Sequence, residues 1–163
     1  MNNSQKLKIG LDYHGVIDQN PLSFARFCDE GKQRGHKIHI ITGGPKIKIE
    51  EYLRNDNIKY DTIFAISDYY QALGQIGQSD NGIPTISEDK WNRAKAEYCR
   101  RNKIDFHIDD SVQYMQWFST PFCLYEKKQN KCTLFNEEEL DFNQSADRLW
   151  QKLEQIIQNR QSF

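Results

Sequence analysis

Lys8-Ile9-Gly10-Leu11-Asp12-Tyr13-His14-Gly15-Val16-Ile17 is a short apolar run that stops at an acid and passes into a glycine turn. The run predicts a buried strand, with Asp12 at its carboxyl end, the edge at which open α/β sheets expose their ligand crevice. Taken alone, an acid in that place reads as the cap of a turn. Two further segments repeat the arrangement. His36-Lys37-Ile38-His39-Ile40-Ile41 leads into Thr42-Gly43-Gly44-Pro45, a hydroxyl followed by glycines that let a phosphate approach the backbone just ahead of a predicted helix. Ile104-Asp105-Phe106-His107-Ile108 leads into Asp109-Asp110-Ser111, so two neighbouring carboxylates again stand where a strand gives way to a loop. Asp12, Asp109 and Asp110 together offer hard oxygen ligands suited to Mg²⁺, and the chain has no close His/Cys spacing of the kind zinc prefers.

Around these segments strand-like and helix-like stretches alternate, which predicts an α/β chain with a three-layer α/β/α, Rossmann-like, doubly wound parallel sheet and right-handed crossovers. Residues 22–34 read as a helix that buries Phe24, Phe27 and Cys28 and stops at Gly35. Residues 46–55 read as a second helix, and residues 60–66, rich in β-branched and aromatic side chains, as the third strand. Between that strand and Trp91, the residues Gly74, Gly77, Ser79, Asp80, Asn81, Gly82 and Pro84 punctuate an insertion at about 68–89, expected to be a loop or short lid. Phe122-Cys123-Leu124-Tyr125 is expected to be the last strand of the core, with Cys132-Thr133-Leu134-Phe135 returning beside it after a polar turn. A closing helix at about 145–158, capped by Ser145, turns Ala146, Leu149, Trp150, Leu153, Ile156 and Ile157 toward the sheet.

The 163 residues fit one catalytic domain with a single well-filled core. A formal charge of −1 with 28% charged residues gives no dominant field to draw nucleic acid or a membrane, and no basic stripe supports a nucleic-acid partner. No apolar run approaches the roughly 20 residues of a membrane helix, and Met1-Asn2-Asn3-Ser4-Gln5-Lys6 lacks the apolar centre of a signal peptide. The expected address is the cytoplasm. Cys28, Cys99, Cys123 and Cys132 form no Cys-x-x-Cys pair and are expected to be reduced there, even though Cys123 and Cys132 fall on the two arms of the predicted hairpin.

Asp12, Thr42, a lysine and the Asp109-Asp110 pair, in this order at successive strand ends over about residues 7–126, resemble the motifs of the haloacid dehalogenase superfamily of phosphohydrolases. The resemblance implies that fold, a Mg²⁺ cofactor, and hydrolysis of a phosphomonoester through an aspartyl phosphate, with a nucleotide or sugar phosphate as the small-molecule substrate. One position departs from the pattern. Phosphatases of the superfamily usually carry Asp-x-Asp-Gly, and here the second acid is His14. Only about 30 residues separate Asp12 from Thr42, and some 20 make up the later insertion. Neither leaves room for the cap domains of many relatives, so an open or lightly covered site is expected, which a second copy of the chain could complete.

On this resemblance Asp12 is the nucleophile, and Mg²⁺ is held by Asp12, the backbone carbonyl of His14, and Asp109, with Asp110 behind them or as a further ligand. The His14 imidazole stands where relatives protonate the leaving alcohol and deprotonate water, two transfers that imidazoles as a class perform near neutral pH. Its ring as a metal ligand, or as an inert filler, are the alternatives. Thr42 with the Gly43 and Gly44 amides would hold a phosphoryl oxygen, the alternative being a helix cap. Between Lys90 and Lys95, the latter shares a helical face with Trp91, Ala94, Tyr98 and Cys99 and therefore needs a buried counter-charge, so Lys95 is chosen. His39 and His107 read as core histidines and His36 as exposed. Tyr69, Tyr70 and Trp91 are candidates for stacking on a base or sugar, and Asp18 and Asn20 for touching substrate. The competing function is a weak or inactive phosphate-binding or regulatory module that lost turnover with the change to His14. A phospho-acceptor receiver domain is excluded by the order of its acids.

Overall fold

In a computed structural model that describes residues 5–79, 81–82, 84–134 and 137–161, strands and helices alternate as far as the middle of the chain. The order is β1 (Lys8–Leu11), α1 (Pro21–Gln33), β2 (Lys37–Thr42), α2 (Lys46–Asn55), β3 (Thr62–Ala65) and α3 (Ile66–Ala72). It continues with β4 (Gly77–Gln78), β5 (Pro84–Thr85), α4 (Glu88–Asn102), β6 (Phe106–Asp109), the one-turn α5 (Val112–Met115) and β7 (Phe122–Glu126). The chain closes with β8 (Lys131–Leu134), β9 (Glu139–Asp141) and α6 (Ala146–Gln161). Met1–Ser4, Asp80 and Phe135 fall outside the described residues.

Seven strands form one sheet in the order β3-β2-β1-β6-β7-β8-β9. The pairs from β3 to β7 are parallel, and β7-β8 and β8-β9 are antiparallel. The sheet is thus mixed and mostly parallel, of α/β class with Rossmann-like character, rather than parallel throughout. Its parallel half needs helical crossovers, whereas the polar turn at 127–130 is short enough to reverse the chain directly. Because the central strands run the same way, their carboxyl ends, and with them Asp12, Thr42 and Asp109, gather on one edge.

Side chains alternate across these strands and sort the interior into two layers. Ile9 and Leu11 of β1, Ile38 and Ile40 of β2, and Phe106 and Ile108 of β6 pack with α1, α2 and α6. Ile41 and Phe64 face the other way and pack with α3 and α4. Trp150 of α6 is fully buried, stacks on Phe27 (4.6 Å) and on His36 (4.4 Å), and donates to the Phe27 carbonyl at 2.8 Å.

Several expectations are corrected here. His36 is buried, not exposed: Trp150 covers its ring, Nδ1 accepts from the Leu7 amide (3.1 Å), and Nε2 meets Glu154 (2.9 Å), partners from distant parts of the chain. The insertion at 68–89 is not all loop, since α3 continues from β3 without a break and β4 and β5 form a small antiparallel pair. Tyr70 points into the second core layer and Tyr69 packs against it. β9 was not anticipated. Cys123 and Cys132 form a disulfide, where reduced thiols were expected. The hairpin register pairs Tyr125 with Cys132 and Cys123 with Leu134, so the two cysteines sit diagonally on one face with Cα atoms 5.5 Å apart. Cys28 and Cys99 are free and buried, and burial pushes both thiols up.

Candidate active site

Asp12 follows β1 directly, and its amide still pairs with the Ile108 carbonyl of β6 (3.0 Å), which fixes the residue to the sheet edge. One carboxylate oxygen, Oδ1, accepts from the Tyr13 amide at 2.8 Å; the other, Oδ2, lies 2.7 Å from the Lys95 Nζ. The same ammonium lies 2.7 Å from Asp109 Oδ2. Asp109 also accepts from the Ser111 amide (3.0 Å) and faces His107 Nε2 at 3.2 Å. Lys95 is 3% exposed and Asp109 fully buried, so this ion triad has little contact with water.

One buried ammonium between two carboxylates cannot hold both at their ordinary acidity. Burial pushes the Asp12 carboxyl up to about 7, against the pull of Lys95 and with the facing Asp109 adding to the rise. Burial also works to raise Asp109, but Lys95 and His107 outweigh it and hold that carboxyl below its usual range. Burial opposes the charge on Lys95 as well, and the two carboxylates more than offset this, keeping the lysine protonated. His107 is held down by burial and is neutral near pH 7, leaving Nε2–H to donate to Asp109. Gly10 makes room for it, since a Cβ there would stand 2.6 Å from His107 Nδ1.

Asp110 lies against the turn after Asp12. At Gly15, whose φ is +83°, a Cβ would fall 2.1 Å from Asp110 Oδ2, so glycine is what lets the carboxylate approach. Burial and then Asp109 raise the Asp110 carboxyl. Asp12, Asp109 and Asp110 each present an oxygen within 4.8 Å of the others. An all-carboxylate set of this kind fits a hard divalent cation such as Mg²⁺, and neither His nor Cys takes part in it.

Thr42, at the end of β2, is fully buried, and its Oγ1 has no hydrogen-bond partner among the described residues. It does not cap α2. The N-terminus of that helix follows Pro45, and the Lys46 amide donates instead to Asp68 at 2.9 Å. Gly44 has φ +103° and lies so close to Ser67 that a Cβ would clash at 2.2 Å. Gly43 is backed by Trp91, whose ring a Cβ would approach to 3.0 Å.

Asp12, His14, Thr42, Gly43, Gly44, Lys95 and Asp110 line one cavity of about 450 Å³, together with Trp91, Ser111 and Tyr114. Asp109 lies beneath its floor, bound to Lys95. The His14 side chain is 58% exposed, and its Nδ1 faces Asp18 Oδ2 at 3.2 Å. Asp18 is in turn held by the Gly15 amide (2.8 Å) and by Gln19. The ring is therefore engaged by Asp18 and is not one of the clustered metal-ligand groups. Lys90 is exposed and donates to Gln75 (2.9 Å), away from the cavity, and Asn20 donates to the Tyr125 hydroxyl (3.2 Å).

Three partners escaped the sequence. Asp18 as the carboxylate behind His14, and His107 behind Asp109, each had a signal in spacing: four residues on in a tight turn, and two residues apart on one face of a strand. Tyr114 had none, because it lies on a one-turn helix that shows no periodicity.

No family model matches the chain, and no curated protein matches it. Among solved structures it is similar to a glycosyltransferase from Rickettsia africae ESF-5, with 15% identity and a TM-score of 0.43, over 75% of this chain and 31% of that one. The chain thus spans under a third of that protein's length.

Proposed function

We propose that the protein is a Mg²⁺-dependent phosphomonoester hydrolase of haloacid dehalogenase type that works through an aspartyl phosphate. The observation that carries this reading is the buried Lys95 ammonium shared by Asp12 and Asp109 at the ends of parallel neighbouring strands. Burying three charges is costly in a merely structural role and is repaid where an anion must be bound and attacked. The unpartnered Thr42 hydroxyl supports it, because a phosphoryl oxygen is an acceptor of the kind that hydroxyl lacks.

The Asp12 carboxylate attacks phosphorus, forming an oxygen–phosphorus bond as the bond to the leaving alkoxide breaks. His14 Nε2–H gives its proton to that alkoxide, with Asp18 receiving Nδ1–H and holding the ring. Water then loses a proton to His14 Nε2 and attacks phosphorus, releasing inorganic phosphate and restoring the Asp12 carboxylate. Lys95, Thr42 Oγ1 and the amides of Gly43 and Gly44 orient the phosphoryl oxygens and take up charge in both steps. Asp12, Asp109 and Asp110, with the His14 carbonyl, would hold Mg²⁺, which supplies charge neutralisation between the anionic nucleophile and the anionic ester.

The test is phosphate release from a panel of phosphomonoesters with and without Mg²⁺, for the native protein, Asp12→Asn and His14→Ala. Release that needs Mg²⁺ is expected, absent in Asp12→Asn and lowered roughly 10²- to 10⁴-fold in His14→Ala. Binding of Mg²⁺ and phosphate without release from any ester would replace the hydrolase by a phosphate-binding module.

A further inference from the structure

The cavity over Lys95 is larger than a phosphoryl group requires. At about 450 Å³ it falls among small-molecule sites, which run from roughly 300 to 1,000 Å³. What fills the wall beyond the phosphate end is aromatic. Trp91 Nε1 donates to the Tyr114 hydroxyl at 3.1 Å, which ties the side chain of α4 to that of α5. The Trp91 ring lies against Gly43, and the Lys95 Nζ is 5.1 Å from the centre of the Tyr114 ring. The aromatic wall therefore begins at the phosphate-binding turn and at the ammonium themselves. Both rings are half-buried, neither belonging wholly to the core nor standing free in solvent.

Resting on the hydrolase reading for its phosphate end, we propose that Trp91 and Tyr114 form a stacking wall that selects a nucleoside monophosphate over a bare sugar phosphate. A flat heteroaromatic base offers a π-face to such a wall whatever its hydrogen-bonding edge. Recognition of a sugar through its hydroxyls needs several directed polar groups. Outside the phosphate-binding residues, His14 and the metal-binding acids, the lining offers Ser111 and the Tyr114 hydroxyl, the latter already accepting from Trp91. Pinning one ring to the other removes rotamer freedom before a ligand arrives, so less is lost on binding. Tyr69 and Tyr70 do not line this cavity, which leaves Trp91 and Tyr114 as the large aromatic rings among the described residues that do, beside the smaller His14 imidazole.

The test compares adenosine 5′-monophosphate with ribose 5-phosphate, which carries the same phosphate and sugar without the base. Two readouts are used on the full chain: kcat/KM for phosphate release, and Kd by calorimetry on Asp12→Asn with Mg²⁺. The nucleotide is expected to be preferred in both. Trp91→Leu and Tyr114→Leu should each reduce the nucleotide-to-ribose-phosphate ratio by roughly 5- to 100-fold, the span expected for loss of one stacking surface. Trp91→Phe, which keeps a ring, should retain more of the preference. Tyr114→Leu carries the test if Trp91→Leu does not fold. Equal handling of the two ligands by the native site, or a ratio that neither leucine variant alters, would overturn the stacking wall and leave the hydrolase standing. Tighter nucleotide binding without release from any ester would keep the wall and remove the hydrolase. Failure of both ligands to bind would remove both.

Discussion

A hydroxyl buried without a partner costs the folded chain about 1–3 kcal/mol, and Thr42 carries such a hydroxyl. Valine has nearly the same shape without it. Thr42→Val is therefore expected to leave the melting temperature of the ligand-free protein unchanged or to raise it, while lowering phosphate release by roughly 10²- to 10³-fold, as loss of an oriented donor does. A structural hydroxyl would give the opposite pair of results, with stability falling and turnover kept. The choice of Lys95 over Lys90 also belongs to single residues. Lys95 shared a helical face with Trp91 and Cys99, and a lysine on an apolar face needs counter-charges, which Asp12 and Asp109 supply. What spacing could not reveal was Tyr114, or that His36 would be roofed by a tryptophan 114 residues away in the chain.

Among the elements, α6 does most to close the molecule on the face away from α4. Trp150 sits against Gly31 of α1 so closely that a Cβ there would lie 2.2 Å from the indole. Trp150→Ala should cost roughly 3–5 kcal/mol in denaturant unfolding, and Gly31→Ala should also destabilise by forcing the indole out of its place. A loss below about 1 kcal/mol for Trp150→Ala would mean that α6 is not part of the cooperative unit. The apolar periodicity of α1, α2, α4 and α6 made these helices legible, and the short β-branched runs did the same for the central strands. α3, β4, β5 and β9 were not legible. They are short, they carry no repeating apolar pattern, and they depend on what lies beside them.

At the scale of the molecule, the edge of the parallel sheet concentrates negative charge, and pH reads that out. The Asp12 carboxyl ordinarily titrates near 3.8 and is pushed up to about 7 in the fold, chiefly by burial. A raised folded value gives stability that is fully present below about 3.8 and lost as pH rises to about 7. Asp109, held low, and Lys95, held high, do not titrate inside that window. His39 and His107 are held down by burial and act in the other direction, withdrawing stability as pH falls below about 6.5. The Asp110 carboxyl is raised as well and acts in the same direction as Asp12, and comparing native protein with Asp12→Asn cancels it together with the histidines. In chelator, the native melting temperature should fall relative to the variant between about pH 4 and 7. Mg²⁺ should raise the native value more at pH 8 than at pH 6, because the cation and the ionised carboxylates favour one another. A native-minus-variant difference that stays flat across the window would mean that Asp12 is not the raised carboxyl.

The sequence by itself determined that Asp12, Thr42 and the Asp109-Asp110 pair would share one edge. Parallel strands joined by helical crossovers all end on the same side, so the position of a residue after its strand is enough to place it. It also determined which face of α4 turns inward. Only the tertiary structure decided that β8 and β9 extend the sheet antiparallel, that hairpin register brings Cys123 to Cys132, and that His36 is buried beneath α6. It alone set Asp18 behind His14, His107 behind Asp109, and Tyr114 beside Trp91. Register, packing between distant segments and one-turn elements settle these; spacing along the chain hints at the Asp18 and His107 pairings alone and does not decide even those.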